Sequence, residues 1–92
     1  MIGLLTVEFF IYEAQSLKDK RSVVQKTVNR LRQRFNLAVS ETGFQDLWQR
    51  AEISMVTVSS DKIIAEKELQ RALAMITSIT ELEVTNSKVE WL

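Results

Sequence analysis

Four apolar residues near the start of the chain, Leu5, Val7, Phe9 and Ile11, recur at every second position, with Leu4, Thr6, Glu8, Phe10 and Tyr12 between them. A period of two predicts a strand over Met1–Tyr12 whose odd positions face a core and whose even positions face away from it. After a turn at Glu13–Gln15 the spacing changes. Val24, Val28, Leu31 and Phe35 follow at steps of four, three and four, the stripe of an amphipathic helix. Ser16 and Asp19 in front of that stripe form a capping-box pattern, which sets the helix at Leu17–Arg34. Phe35–Glu41 reads as a short strand with Leu37 and Val39 inward, and Thr42–Gln49, with Gly43, as a long hairpin loop. The third strand runs from Arg50 or Ala51 to Ser59. Its dense apolar content at Ile53, Met55, Val56 and Val58 predicts a central strand covered on both faces. Asp61 or a preceding serine caps a second helix marked by Ala65, Leu69, Ala72, Leu73 and Ile76 and ending near Ser78. Leu82–Trp91 closes as a strand whose alternation slips between Val84 and Val89, so a bulge is expected near Asn86 and Ser87.

The order βαββαβ has a natural solution, the ferredoxin-like α+β fold. Two right-handed crossovers place both helices on one face of a four-stranded antiparallel sheet of order 4-1-3-2. With 92 residues the chain is expected to form one domain over 1–92. In this fold three connections fall at one end of the sheet: the turn into the first helix, the hairpin between strands two and three, and the turn into the last strand. That end is where a site is expected.

Composition narrows the chemistry. There is no cysteine and no histidine. A disulfide framework, a thiolate or imidazole metal site and the commonest general base are therefore all excluded. No metal and no cofactor is expected. No apolar run approaches bilayer length and no basic leader precedes the first strand, so no membrane association and a cytoplasmic location are expected. Net charge is zero, from twelve basic and twelve acidic residues, but the layout is dipolar. Between Gln15 and Arg34 seven basic residues stand against Asp19 alone. One helix surface thus has what a polyanion requires, although the whole chain does not.

Two segments are distinctive, Ser16-Leu17-Lys18-Asp19-Lys20-Arg21 and the stretch from Phe35-Asn36 through Val39, Glu41 and Gly43 to Gln45-Asp46-Leu47-Trp48-Gln49-Arg50-Ala51. With the chain length, they resemble the YlxP-like bacterial proteins, a family of unknown function. The resemblance implies a ferredoxin-like fold in a bacterial cytosolic protein. It also hints at RNA or ribosome association, because such genes often neighbour those for translation initiation and ribosome maturation. It carries no activity, cofactor or catalytic residue.

The candidate contacts for RNA or an anion are Lys18, Lys20, Arg21, Lys26, Arg30 and Arg34, the last three at i, i+4, i+8 as an outer stripe of the helix. The rim loop contributes Glu41, Asp46, Trp48 and Arg50. Glu41, Asp46 and Arg50 are expected to form an ion-pair cluster with Lys18, Lys20 or Arg21. Trp48 is expected to be buried, closing the end of the core, with an exposed interface anchor as the alternative. Phe10 and Tyr12 mark the open sheet face, where a partner protein or a second copy of the chain would dock. That face lacks the paired aromatics of strands one and three that RNA-recognition domains use. No catalytic residue is expected. A Ser–Lys pair drawn from Ser16 or Ser22 with Lys20 is explained by capping and helix positions, and no acidic cluster fits a divalent ion. The leading expectation is a non-catalytic binding module for RNA or a ribonucleoprotein. The alternatives are a protein–protein adaptor or homodimer using the sheet face or edge, and a small-anion sensor at Ser16–Arg21.

Overall fold

A computed structural model describes residues 1–92. Strand β1 (Ile2–Phe10) is followed by helix α1 (Leu17–Arg34), strands β2 (Ala38–Gly43) and β3 (Arg50–Val58), helix α2 (Lys62–Thr77) and strand β4 (Glu83–Trp91). The antiparallel sheet has the order β2-β3-β1-β4. This is the expected ferredoxin-like architecture. No helix is long and apolar enough to cross a membrane.

The alternation of β1 positions the core as predicted. Leu5, Val7, Phe9 and Ile11 are all but fully buried, and their partners on β3, Met55, Ile53 and Ala51, lie beneath the same helices. Val24, Val28 and Leu31 of α1 and Leu69, Ala72, Met75 and Ile76 of α2 cover them. Local signals fix the helix starts. Ser16 Oγ accepts from Asp19 N–H at 3.1 Å while the Asp19 carboxylate accepts from Gln15 N–H at 3.1 Å. Asp61 Oδ1 accepts from Ile63 N–H at 2.8 Å. Each cap satisfies a helix-terminal N–H that would otherwise lack a partner.

Three expectations need correction. β3 is central but covered on one face only. Ala51, Ile53, Met55 and Thr57 are buried, whereas Glu52, Ser54 and Val56 are half-buried and Val58 is exposed. Its apolar run conceals an ordinary alternation. β2 begins at Ala38, three residues later than predicted, because Phe35 ends α1 as its C-cap and packs with Leu37 at the edge of the core. The irregularity of β4 is at Thr85, one residue before the predicted place. Asn86 pairs with Glu8 and Val84 with Phe9, leaving Thr85 as the extra residue.

The open face is polar at its centre. Thr42 Oγ1 lies 2.7 Å from Ser54 Oγ, which is 3.4 Å from Thr6 Oγ1, and Thr42 also donates to Glu52 at 2.7 Å. Apolar side chains are confined to its two ends. A broad apolar docking face is therefore absent.

Gly3 has a steric duty. A Cβ there would approach Trp91 Cζ3 to 2.8 Å and Leu69 Cδ1 to 2.9 Å, so the missing side chain lets the indole of β4 lie against β1. Gly3→Ala should lower stability by about 1–3 kcal/mol through overpacking, measured as a shift in urea midpoint at unchanged slope.

Candidate functional site

The expected end of the sheet gathers the turn before α1 and the loop between β2 and β3. Ile11 N–H donates to the Gln49 carbonyl at 2.9 Å, and the Gln49 side-chain amide donates to the carbonyls of Tyr12 and Ala14 at 2.8 and 3.2 Å. These bonds lace the loop to the turn.

Lys20 binds the same two segments from inside. Its side chain is 1% exposed. The ammonium group donates to the Phe44 carbonyl and lies 3.2 Å from Glu41 Oε2. Glu41 faces it because its pairing with Ile53 puts the side chain on the helix side of the sheet, just before Thr42 interrupts the register. The carboxylate contact lacks hydrogen-bond geometry, leaving Oε2 without a formal donor. It acts as a counter-charge while the carbonyl accepts the hydrogen bond. A buried cation requires both forms of compensation. Lys20 is thus removed from the expected contacts, since a group enclosed in this way cannot meet a phosphate. The expected ion pair between Lys20 and Glu41 is present. Arg50 instead pairs with Glu8 across the sheet at 3.2 Å, and Asp46 enters no ion pair.

Phe44 is the residue that sequence reasoning missed. It has a positive φ of 57°, a conformation unusual for a bulky side chain, and its carbonyl also accepts from Leu47 N–H at 3.0 Å. The Arg50 guanidinium sits over its ring at 3.9 Å, and over the Phe10 ring at 6.0 Å. Cation–π attraction and the two bonds to its carbonyl hold the strained turn. Gly43, the more obvious candidate for a left-handed conformation, does not adopt one.

The outer surface of this end is aromatic and exposed. Phe10 and Tyr12 stack with ring centroids 5.6 Å apart, and Tyr12 is 60% exposed. Glu83 raises the Tyr12 phenol above its usual range, first by hydrogen bonding, with desolvation and the carboxylate's charge adding to it. The phenol therefore stays neutral at physiological pH. Trp48 is 54% exposed, contrary to the expectation of burial, and Leu47 is 48% exposed. Phe9 and Ile11 already close the core here, so the loop indole has no apolar volume to fill. Phe10, Leu47, Trp48 and Arg50 line a shallow groove of about 480 Å³.

The cations of α1 do not form one stripe. Lys26 pairs with Glu81 at 2.8 Å, and Arg32 donates to the Val39 carbonyl at 2.7 Å. Lys18, Arg21, Arg30 and Arg34 are exposed and have no acidic partner. Lys18 and Arg21 flank Lys20 beside the rim. Arg30 and Arg34 lie roughly 15–25 Å away along the helix, at 1.5 Å per residue, and Arg34 is over the Phe35 ring at 5.8 Å. At the Ser16–Arg21 turn, Asp19 and Ser16 take the N–H groups described above, so a small anion would compete with Asp19. No cluster of potential metal ligands is present.

Lys20→Met should destabilise the protein by about 2–4 kcal/mol, because Glu41 would lose its counter-charge and the Phe44 carbonyl one of its two donors. Trp48→Ala should change stability by less than about 0.5 kcal/mol, as befits an exposed loop residue. Chemical denaturation of both variants checks this contrast.

Comparison with known proteins follows the same outline. The family described as "Protein of unknown function (DUF503)" matches residues 2–89. The chain is 46% identical over 91 residues to "Uncharacterized protein YlxP" of Bacillus subtilis (strain 168), covering 99% of each chain. Among solved structures, "De novo designed protein Foldit4" matches all of this chain and 99% of its own with a TM-score of 0.62 at 13% identity, a likeness of fold alone.

Proposed function

The chain belongs to the DUF503 family of proteins of unknown function, and on that footing we propose that it is a non-catalytic module that binds single-stranded segments of RNA or a ribonucleoprotein. Bases stack on Trp48 and Tyr12, and phosphates are met by Lys18 and Arg21, with Arg30 and Arg34 extending the track along α1. What supports this reading above all is the conjunction of two exposed aromatic rings with exposed cations that have no acidic partner. Neither group is needed by the core, and exposed aromatic plates together with free cations are the elements of sequence-tolerant single-strand binding. The revised cation set omits Lys20, which is enclosed, and gives Lys26 a lesser part because Glu81 neutralises it.

The test is a titration with a labelled single-stranded oligoribonucleotide at two salt concentrations. Trp48→Ala should weaken binding by roughly tenfold, since stacking one base contributes on the order of 1–3 kcal/mol. Lys18→Glu with Arg21→Glu should also weaken it and flatten the dependence of log K on log salt by about one to two. No measurable binding by the wild type, or binding equal in all three proteins, would refute the reading. Salt-insensitive capture of a protein through Trp48 would point to the adaptor role instead.

A further inference from the structure

Beyond the rim, the free edge of β4 has the pattern of a surface made to meet itself, and we infer that two copies of this chain pair antiparallel through Ser87–Trp91, centred on Val89. The argument starts from the direction of the main-chain groups. Gly3 is opposite Trp91, and Leu92 N–H donates to the Ile2 carbonyl at 2.9 Å. That bond identifies Gly3–Trp91 as a pair that is not itself hydrogen-bonded. Leu4–Glu90 and Thr6–Lys88 are then the bonded pairs. Ser87, Val89 and Trp91 turn their N–H and C=O groups away from β1, to the outer side of the sheet.

An unpaired row of this kind is a template for another strand. With Val89 on the two-fold axis, Val89 faces Val89 of the partner subunit, and Ser87 faces the partner's Trp91. These are the residues whose main-chain groups are free, so the register yields about six new hydrogen bonds. Lys88 and Glu90 pair with each other within the chain at 2.6 Å. The same register sets Lys88 against Glu90 of the partner subunit and Glu90 against the partner's Lys88, so the two intrachain pairs join into one alternating four-charge network on the open face. The pairs between subunits are the closely spaced ones of the new ladder, where side chains interact best. Shifting the register by two residues sets Lys88 opposite Lys88 of the partner subunit in one direction and Glu90 opposite Glu90 of the partner subunit in the other.

The helix side of the strand supplies apolar contact. Val89 is 48% exposed, and with Leu69, Leu73 and Trp91 it lines a groove of about 340 Å³ between α2 and β4. A second copy brings its own Val89 to the mouth of this groove. The other edge of the sheet is less suited. β2 has six residues, its register breaks at Thr42, and Arg32 already occupies the Val39 carbonyl. On β4 the bulge at Thr85 lies outside the five residues used. The contact is remote from the rim and independent of its ligand.

Analytical ultracentrifugation over about 1 µM to 1 mM tests this, because self-association responds to concentration by mass action. The wild type should pass to a species of twice the chain mass. Lys88→Glu and Glu90→Lys should each weaken association by roughly tenfold or more, since two attractive pairs become repulsive. An equimolar mixture of these two variants should associate again, because each then presents the opposite charge to the other. The swap of both residues in one chain should restore the homodimer and remains informative if either single variant fails to fold. A wild type that stays monomeric throughout, single variants that associate like the wild type, or a mixture and a swap that both stay monomeric would each overturn the inference.

Discussion

The ammonium group of Lys20 is out of water and must find its partners within the protein, because an isolated buried charge costs several kcal/mol. Its partners lie on the β2–β3 hairpin, more than twenty residues further along the chain. The first turn of α1 is thereby tied to a loop that has little hydrophobic reason to remain in place. Phe44 keeps an unusual backbone conformation under this tie, and Arg50 closes over its ring. The outward presentation of Trp48 and Tyr12 depends on this inner fastening. A cation that looks in sequence like part of a binding surface instead supports one.

The surfaces left over are set by what the core does not use. One sheet face takes both helices, and hydroxyl groups and charges make the other self-sufficient at its centre. The open face therefore offers no broad hydrophobic patch. Exposed rings collect at one end, and an unpaired main-chain row remains along β4. These two features use different chemistry: the first offers π-faces and cations, the second directional hydrogen bonds with alternating charge. They are also physically separate, because β4 runs from Glu83 beside Tyr12 to Trp91 beside Gly3 at the other end.

The fold was legible because each element carries a local signal that agrees with its neighbours. β1 alternates without error, and α1 begins at the Ser16–Asp19 cap and ends at Arg34 as read. The topology follows from that sequence of elements. The site was less legible, for a reason that individual residues make plain. Lys20 is four positions before Val24, on the same stripe, so helical spacing alone would have placed it inward. Its charge argued for the surface, and the charge was the weaker guide because Glu41 and a carbonyl were waiting. Trp48 erred in the opposite sense. Its hydrophobicity argued for burial, but a loop beyond the end of a filled core has nowhere to bury it. Phe44 carried no signal, since nothing local foretells a left-handed conformation in a bulky residue next to a glycine. Pairing choices such as Arg50 with Glu8 depend on sheet register, which periodicity does not give.

The seat that Gly3 provides for Trp91 has an optical consequence. The chain has two indoles, and the fold separates them along the length of the sheet. Trp48 stands in solvent at the rim, while Trp91 lies against the glycine backbone with the Lys62 ammonium 5.1 Å from its ring. Their fluorescence therefore reports two distinct environments, and replacing either one with phenylalanine leaves an intrinsic probe for the opposite end of the protein.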